Sequence, residues 1–171
     1  MKASHLSAIL FVTIGLAACG ETSKQQAEAP AQVATAPAAP VDNLVKNVVA
    51  DAVPFQPEAA KVDGNALVST GVAGFIMYGP YVPFVPGAYR VTVKGSIPEL
   101  RNGAQVDFDV VSNTGKTIHG VHVVTTIIPT SGDIAEFDVT IPEGVTDLEL
   151  RANVTDGADV RIESYQITKA N

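Results

Sequence analysis

Gly74–Lys94, GFIMYGPYVPFVPGAYRVTVK, is the stretch on which the reading of the fold turns. Phe75 and Met77 alternate with Ile76 and Tyr78, and both sets are apolar, as in a strand buried on both faces. Gly79-Pro80 interrupts it, because proline donates nothing to a ladder and restricts the residue before it. Tyr81, Val82 and Phe84 resume the apolar run, and Pro83 places it at an edge. Pro86-Gly87 signals a turn. Beyond it Tyr89, Val91 and Val93 point one way and Arg90, Thr92 and Lys94 the other, the pattern of a half-buried antiparallel strand. The stretch therefore reads as strand, turn, strand, tight turn, strand.

Outward from there the chain continues in period two. Val106, Phe108 and Val110 alternate with Asp107 and Asp109. Thr117–Ile128 is β-branched and apolar on both faces. Phe137, Val139 and Ile141 alternate with Glu136, Asp138 and Thr140. Leu148, Leu150 and Ala152 do so with Glu149 and Arg151. Asn113-Thr114-Gly115 and Asp156-Gly157 supply turns. In the last strand Val160 and Ile162 share one face while Tyr165 and Ile167 fall on the other, which predicts a bulge near Ser164. With Ala66–Ser69, about eight short strands predict an all-β fold: a two-sheet antiparallel jelly-roll sandwich over residues 54–171.

The motif Tyr81-x-x-Phe84 followed by Gly87-x-Tyr89-x-Val91-x-Val93 resembles the galactose-binding-like, jelly-roll carbohydrate-binding modules, over roughly Pro57 to Lys169. The resemblance implies a non-catalytic glycan-binding domain. It also implies a structural calcium, held by acidic residues near the first and last strands, where Glu58 and Glu163 fall. Two monodentate acids need backbone carbonyls to complete such a site, and no other cofactor is expected. Such modules stack sugar on exposed aromatic rings. The chain has no Trp, leaving Tyr78, Tyr81, Phe84 and Tyr165 as platforms, with Tyr89 and Phe108 assigned to the core.

The N-terminal part carries an address. Met1-Lys2 precedes an apolar run, Leu6–Leu16, too short to span a bilayer. It ends in Leu16-Ala17-Ala18-Cys19-Gly20, which looks like a bacterial lipobox: residues 1–18 would be cleaved and Cys19, the only cysteine, acylated. Each buried methylene contributes roughly 0.8 kcal/mol, so two or three acyl chains anchor durably. Gly20 is not the aspartate that retains enterobacterial lipoproteins at the inner membrane, which points to the outer membrane. Glu21–Pro40, rich in Ala, Gln and Pro and without hydrophobic period, reads with Cys19 as a lipidated, disordered tether over 19–40. In 41–53, Val41, Leu44, Val45, Val48, Val49 and Ala52 follow helical spacing and predict a short amphipathic helix, docked on the sandwich or offered to a partner.

The formal charge of −7, with no basic cluster, excludes nucleic acid as a partner. Asp107 and Asp109 share a strand face. They are candidate ligand-binding residues with Tyr78 and Tyr81, or, on a third reading, a glycoside-cleaving carboxylate pair. His119 and His122, three apart on a strand, face opposite sides and do not share a metal unless Gly120 introduces a bulge. No nucleophile elbow, phosphate loop or zinc signature is present, so no catalysis is expected. Two readings remain, glycan binding and a protein-interaction or envelope-assembly module.

Overall fold

The computed structural model describes residues 38–170. The expected signal peptide, Cys19 and most of the tether lie outside them. Period-two alternation becomes strand wherever it was read. Gly74–Met77, Pro80–Val82 and Gly87–Leu100 are β4, β5 and β6. Tyr89, Val91 and Val93 are fully buried, and Arg90 and Lys94 are exposed. The remaining elements are β1 (Asn43–Asn47), β2 (Ala60–Asp63), β3 (Ala66–Ser69), β7 (Val106–Ser112), β8 (Thr117–Val124), β9 (Ile128–Ile141), β10 (Leu148–Val154) and β11 (Ala158–Lys169). Arg101–Gly103 is a single 3-10 turn.

These strands make two antiparallel sheets facing each other. One runs β2-β3-β11-β6-β9, with β1 also on β11; the other runs β4-β10-β7-β8, with β5 also on β10. Alternate residues of each inner face interdigitate: Tyr89, Val91 and Ile162 from the first sheet, Phe108, Val110, Leu148 and Leu150 from the second, all at most 1% exposed. The register of β11 against β6 shifts between Ile162 and Ser164. That bulge lets Val160, Ile162, Tyr165 and Ile167 all turn inward, as the sequence pattern predicted.

Three local expectations are corrected. Residues 41–53 do not form a helix. Asn43–Asn47 is a strand paired with Ser164–Thr168 of β11, and the chain then turns back, Val53 N–H donating to the Val48 carbonyl at 2.9 Å. Asp51 closes the turn by accepting from the Asn47 N–H at 2.7 Å. The valine-rich segment is a poor isolated helix, whereas β11 beyond the bulge offers a free ladder edge. The sandwich therefore takes in residues before 54, the Val41 N–H already donating to the Pro83 carbonyl at 3.0 Å. The β2 strand was not foreseen; it is short and mostly exposed, and Gly64-Asn65 joins it to β3. Thr117–Ile128 is also not one strand, since β8 ends at Val124 and Ile128 already opens the long β9.

Candidate functional site

The β4-β10-β7-β8 sheet has an outer face, and the side chains that alternate with the core on β10 and β7 stand on it. Register sets Arg151 opposite Asp109, Asn153 opposite Asp107 and Glu149 opposite Val111. Arg151 grips Asp109 with two parallel bonds, Nε to Oδ1 at 2.8 Å and Nη2 to Oδ2 at 2.5 Å, the fork geometry that fixes a guanidinium. Its guanidinium carbon lies 5.1 Å from the centre of the Phe75 ring, a cation–π contact.

At the β5 end the chain folds over this face. Tyr81, at φ 62, stays 48% exposed, while its hydroxyl donates to Glu149 Oε1 at 3.1 Å. Glu149 is a carboxylate only 6% exposed. Burial raises its pKa; the Tyr81 hydrogen bond and the Arg151 charge oppose the rise without cancelling it. Burial, reinforced by the Glu149 charge, pushes the Tyr81 phenol up to about 12. Together Gln56, Phe75, Tyr78, Tyr81, Thr114, Glu149 and Arg151 line an open groove of about 360 Å³. It combines apolar ring faces with an acceptor and a donor whose positions are set by other side chains.

The structure brings Tyr78 and Tyr81 together with Asp109, which acts on the groove only by holding Arg151. Asp107 stands beside Asp109 on the face but accepts from Gln105 Nε2 at 2.9 Å and does not line the groove. Both oxygens of Asp109 are occupied, so the pair does not present two free carboxylates. Phe84 and Tyr165, considered as sugar platforms, are each 2% exposed; Phe84 packs edge-on against Tyr89, ring centres 5.4 Å apart. Glu58 lies in the turn before β2, its carbonyl accepting from the Thr70 hydroxyl at 2.6 Å, and Glu163 lies on β11. Glu163 is engaged with Ser131 at 3.1 Å and Arg161 at 3.6 Å. Among the described residues, no three His, Cys, Asp or Glu side chains cluster as metal ligands.

A bulge does occur at His119, since Val110 pairs with Gly120 but Val111 with Ile118. The two histidines nonetheless have different neighbours. His119 Nε2 lies 2.8 Å from Ser112 Oγ, and His122 stacks on Phe137 at 5.5 Å. Sequence reasoning missed Gln56, Phe75, Glu149 and Arg151. Glu149 and Arg151 looked like an ordinary solvent face; the one available signal was the matched charge of Asp109 and Arg151 on two strands of like pattern.

No protein-family model matches the sequence, and no curated protein matches it. Among solved structures the chain is similar to the C-terminal CBM6 of LamC, a marine laminarinase from Zobellia galactanivorans. They share 14% identity over 74% of this chain and 99% of that one, with a TM-score of 0.52. The carbohydrate binding module CBM6cm-2 from Cellvibrio mixtus lichenase 5A, solved in complex with cellotriose, aligns at 11% identity over 68% and 91%, TM-score 0.46. Accessory secretory protein 1, 2 and 3 of Streptococcus pneumoniae aligns at 13% over 68% and 90%, TM-score 0.44. The first likeness is one of fold: a carbohydrate-binding-module-like β-sandwich.

Proposed function

We propose that the protein is a non-catalytic lipoprotein of the bacterial cell envelope, anchored through Cys19 and set toward the outer membrane, whose sandwich binds glycan in the Tyr81 groove. One observation carries this reading: an exposed aromatic ring stands beside a buried carboxylate and a clamped guanidinium. A sugar presents an apolar C–H face and a rim of hydroxyls. Tyr81 and Tyr78 offer the first a stacking surface; Glu149 and Arg151 offer the second an acceptor and a donor. Because Tyr81 and Asp109 already fix these groups, little ordering is left for the ligand to impose. The fold likeness supports the reading and does not specify the sugar. The test is a glycan array probed with the protein and with Tyr78→Ala and Tyr81→Ala. Specific binding lost in either variant, with its melting temperature kept, supports the proposal; a blank array from folded protein overturns it.

A second reading, a protein-interaction module, draws on the edge strand β8. Ile118, Val121 and Val123 are 61%, 53% and 48% exposed, and Thr117–Val124 carries no Asp, Glu, Lys or Arg. Uncharged apolar edges are the ones that other chains pair with. Co-purification abolished by Val121→Lys, with the array blank, would favour it.

A further inference from the structure

Among the described residues, five other than glycine hold a left-handed backbone: Ala52, Tyr81, Asn102, Asn113 and Thr114, with φ from 50 to 62. Asparagine enters that region readily, whereas for an aromatic or β-branched side chain it is a genuine outlier. Two of the five are of that kind, Tyr81 and Thr114, and both line the same groove. Strained residues persist only where their surroundings over-determine them, and they gather at ligand clamps. Tyr81 sets its hydroxyl on Glu149 across the groove. The Thr114 hydroxyl reaches only the carbonyl of its own neighbour Asn113, at 2.7 Å.

The turn that carries Thr114 is built to hold it. Asn113, Thr114 and Gly115, between β7 and β8, all have positive φ. Asp147 accepts from the Asn113 and Thr114 N–H groups at 2.9 Å each, and the Lys116 N–H donates to the Asn113 carbonyl at 3.2 Å. A glycine at 114 would take the same φ with no Cβ in the way, so the fold alone does not ask for threonine. Thr114 is exposed, and the turn runs so close to Arg151 that a Cβ at Gly115 would lie 2.8 Å from its Nη1. With its proton given to Asn113, Thr114 Oγ1 keeps acceptor capacity beside the Arg151 donor.

We propose that Thr114 is a specificity-determining residue of the groove, its Oγ1 accepting a hydrogen bond from a hydroxyl of the sugar stacked on Tyr81. The inference rests on the glycan-binding reading and adds the contact by which the groove tells one pattern of hydroxyls from another. A sugar hydroxyl both donates and accepts, so neighbouring hydroxyls on one edge of the ring donate to Thr114 and accept from Arg151. A ring with the first of these turned to its other face leaves Thr114 without that bond.

The test compares the full chain with Thr114→Gly, Thr114→Ser and Asn113→Gly. Each is titrated calorimetrically with the β-linked trisaccharides of glucose, galactose, mannose and xylose, and melted without sugar. Thr114→Gly should melt at an equal or higher temperature, because relief of the left-handed backbone offsets the added freedom of the unfolded chain. It should nonetheless bind the preferred trisaccharide about fivefold more weakly, the loss of one neutral hydrogen bond, and discriminate less among the four. Thr114→Ser keeps the hydroxyl and should bind as the unmodified protein does. Asn113→Gly relaxes the same turn at a residue that does not line the groove, and should leave binding unchanged. Unchanged affinity or a lower melting temperature in Thr114→Gly, weakened binding in Thr114→Ser, or an equal loss in Asn113→Gly would each overturn the Thr114 contact while leaving the groove standing. If none of the four trisaccharides binds the unmodified protein, the groove reading fails and the contact falls with it.

Discussion

Removing residues before Pro54 tests whether β1 and its turn belong to the cooperative unit. By helical spacing this segment is an accessory; in the structure it is an edge strand whose turn enters the core. Val48 and Val53 are 1% and 6% exposed, and fully burying one such side chain contributes about 1.5–3 kcal/mol. Their loss removes about 3–6 kcal/mol at that rate. Leu44 and Val49, packed half-buried against the core, add to this. Ladder bonds to Ser164–Thr168 can be replaced by water, so they contribute less. Against a typical total of about 5–15 kcal/mol, the loss is a large fraction. At roughly 4 °C per kcal/mol for a domain of this size, a chain starting at residue 54 should melt about 12–24 °C below one starting at residue 38, or fail to fold. Thermal melting followed by circular dichroism, with urea titration of the same pair, measures the difference. Equal midpoints would refute the reasoning, because they would mean that β1 contributes no more than a loosely docked appendage.

Other perturbations test separate links. Gly95→Ala places a Cβ 1.9 Å from the Arg161 carbonyl oxygen across the β6–β11 ladder; it should cost at or above the upper end of the roughly 1–3 kcal/mol typical of overpacking, read as a lower urea midpoint. Glu149 has its pKa raised by burial above the ordinary 4.5, so the folded state holds its proton more tightly and stability falls as pH climbs from 4.5 through the raised value. Glu149→Gln should remove that fall, making the variant more stable relative to the unmodified protein at pH 7 than at pH 4; a difference independent of pH would count against the burial argument. Asp147 accepts from the Asn113 and Thr114 N–H groups at 2.9 Å each, and these bonds hold its pKa below the ordinary 3.8. Its contribution is present above that value and lost as pH falls through the lower folded one. Asp147→Ala should therefore be destabilising at pH 6, and the gap should narrow in urea melts near pH 3.

The sequence by itself determined most of the strands and their inner faces. Alternation is a local property of the pleat, so Tyr89, Val91 and Val93, or Val106, Phe108 and Val110, declare their burial wherever the partner strand comes from. The change of face between Ile162 and Tyr165 even disclosed the bulge, because one extra residue is the local way to restore a buried stripe. Only the tertiary structure decided pairing. Asp109 and Arg151 are 42 residues apart, and Tyr81 and Glu149 are 68 apart; nothing in either segment says which ladder will bring them together. The same ignorance of partners made Asn43–Asn47 look helical, since its period fits a helix and the edge of β11 that claims it lies more than a hundred residues on. Faces are set residue by residue, whereas neighbours are set by register between distant strands, and the candidate site is made of neighbours.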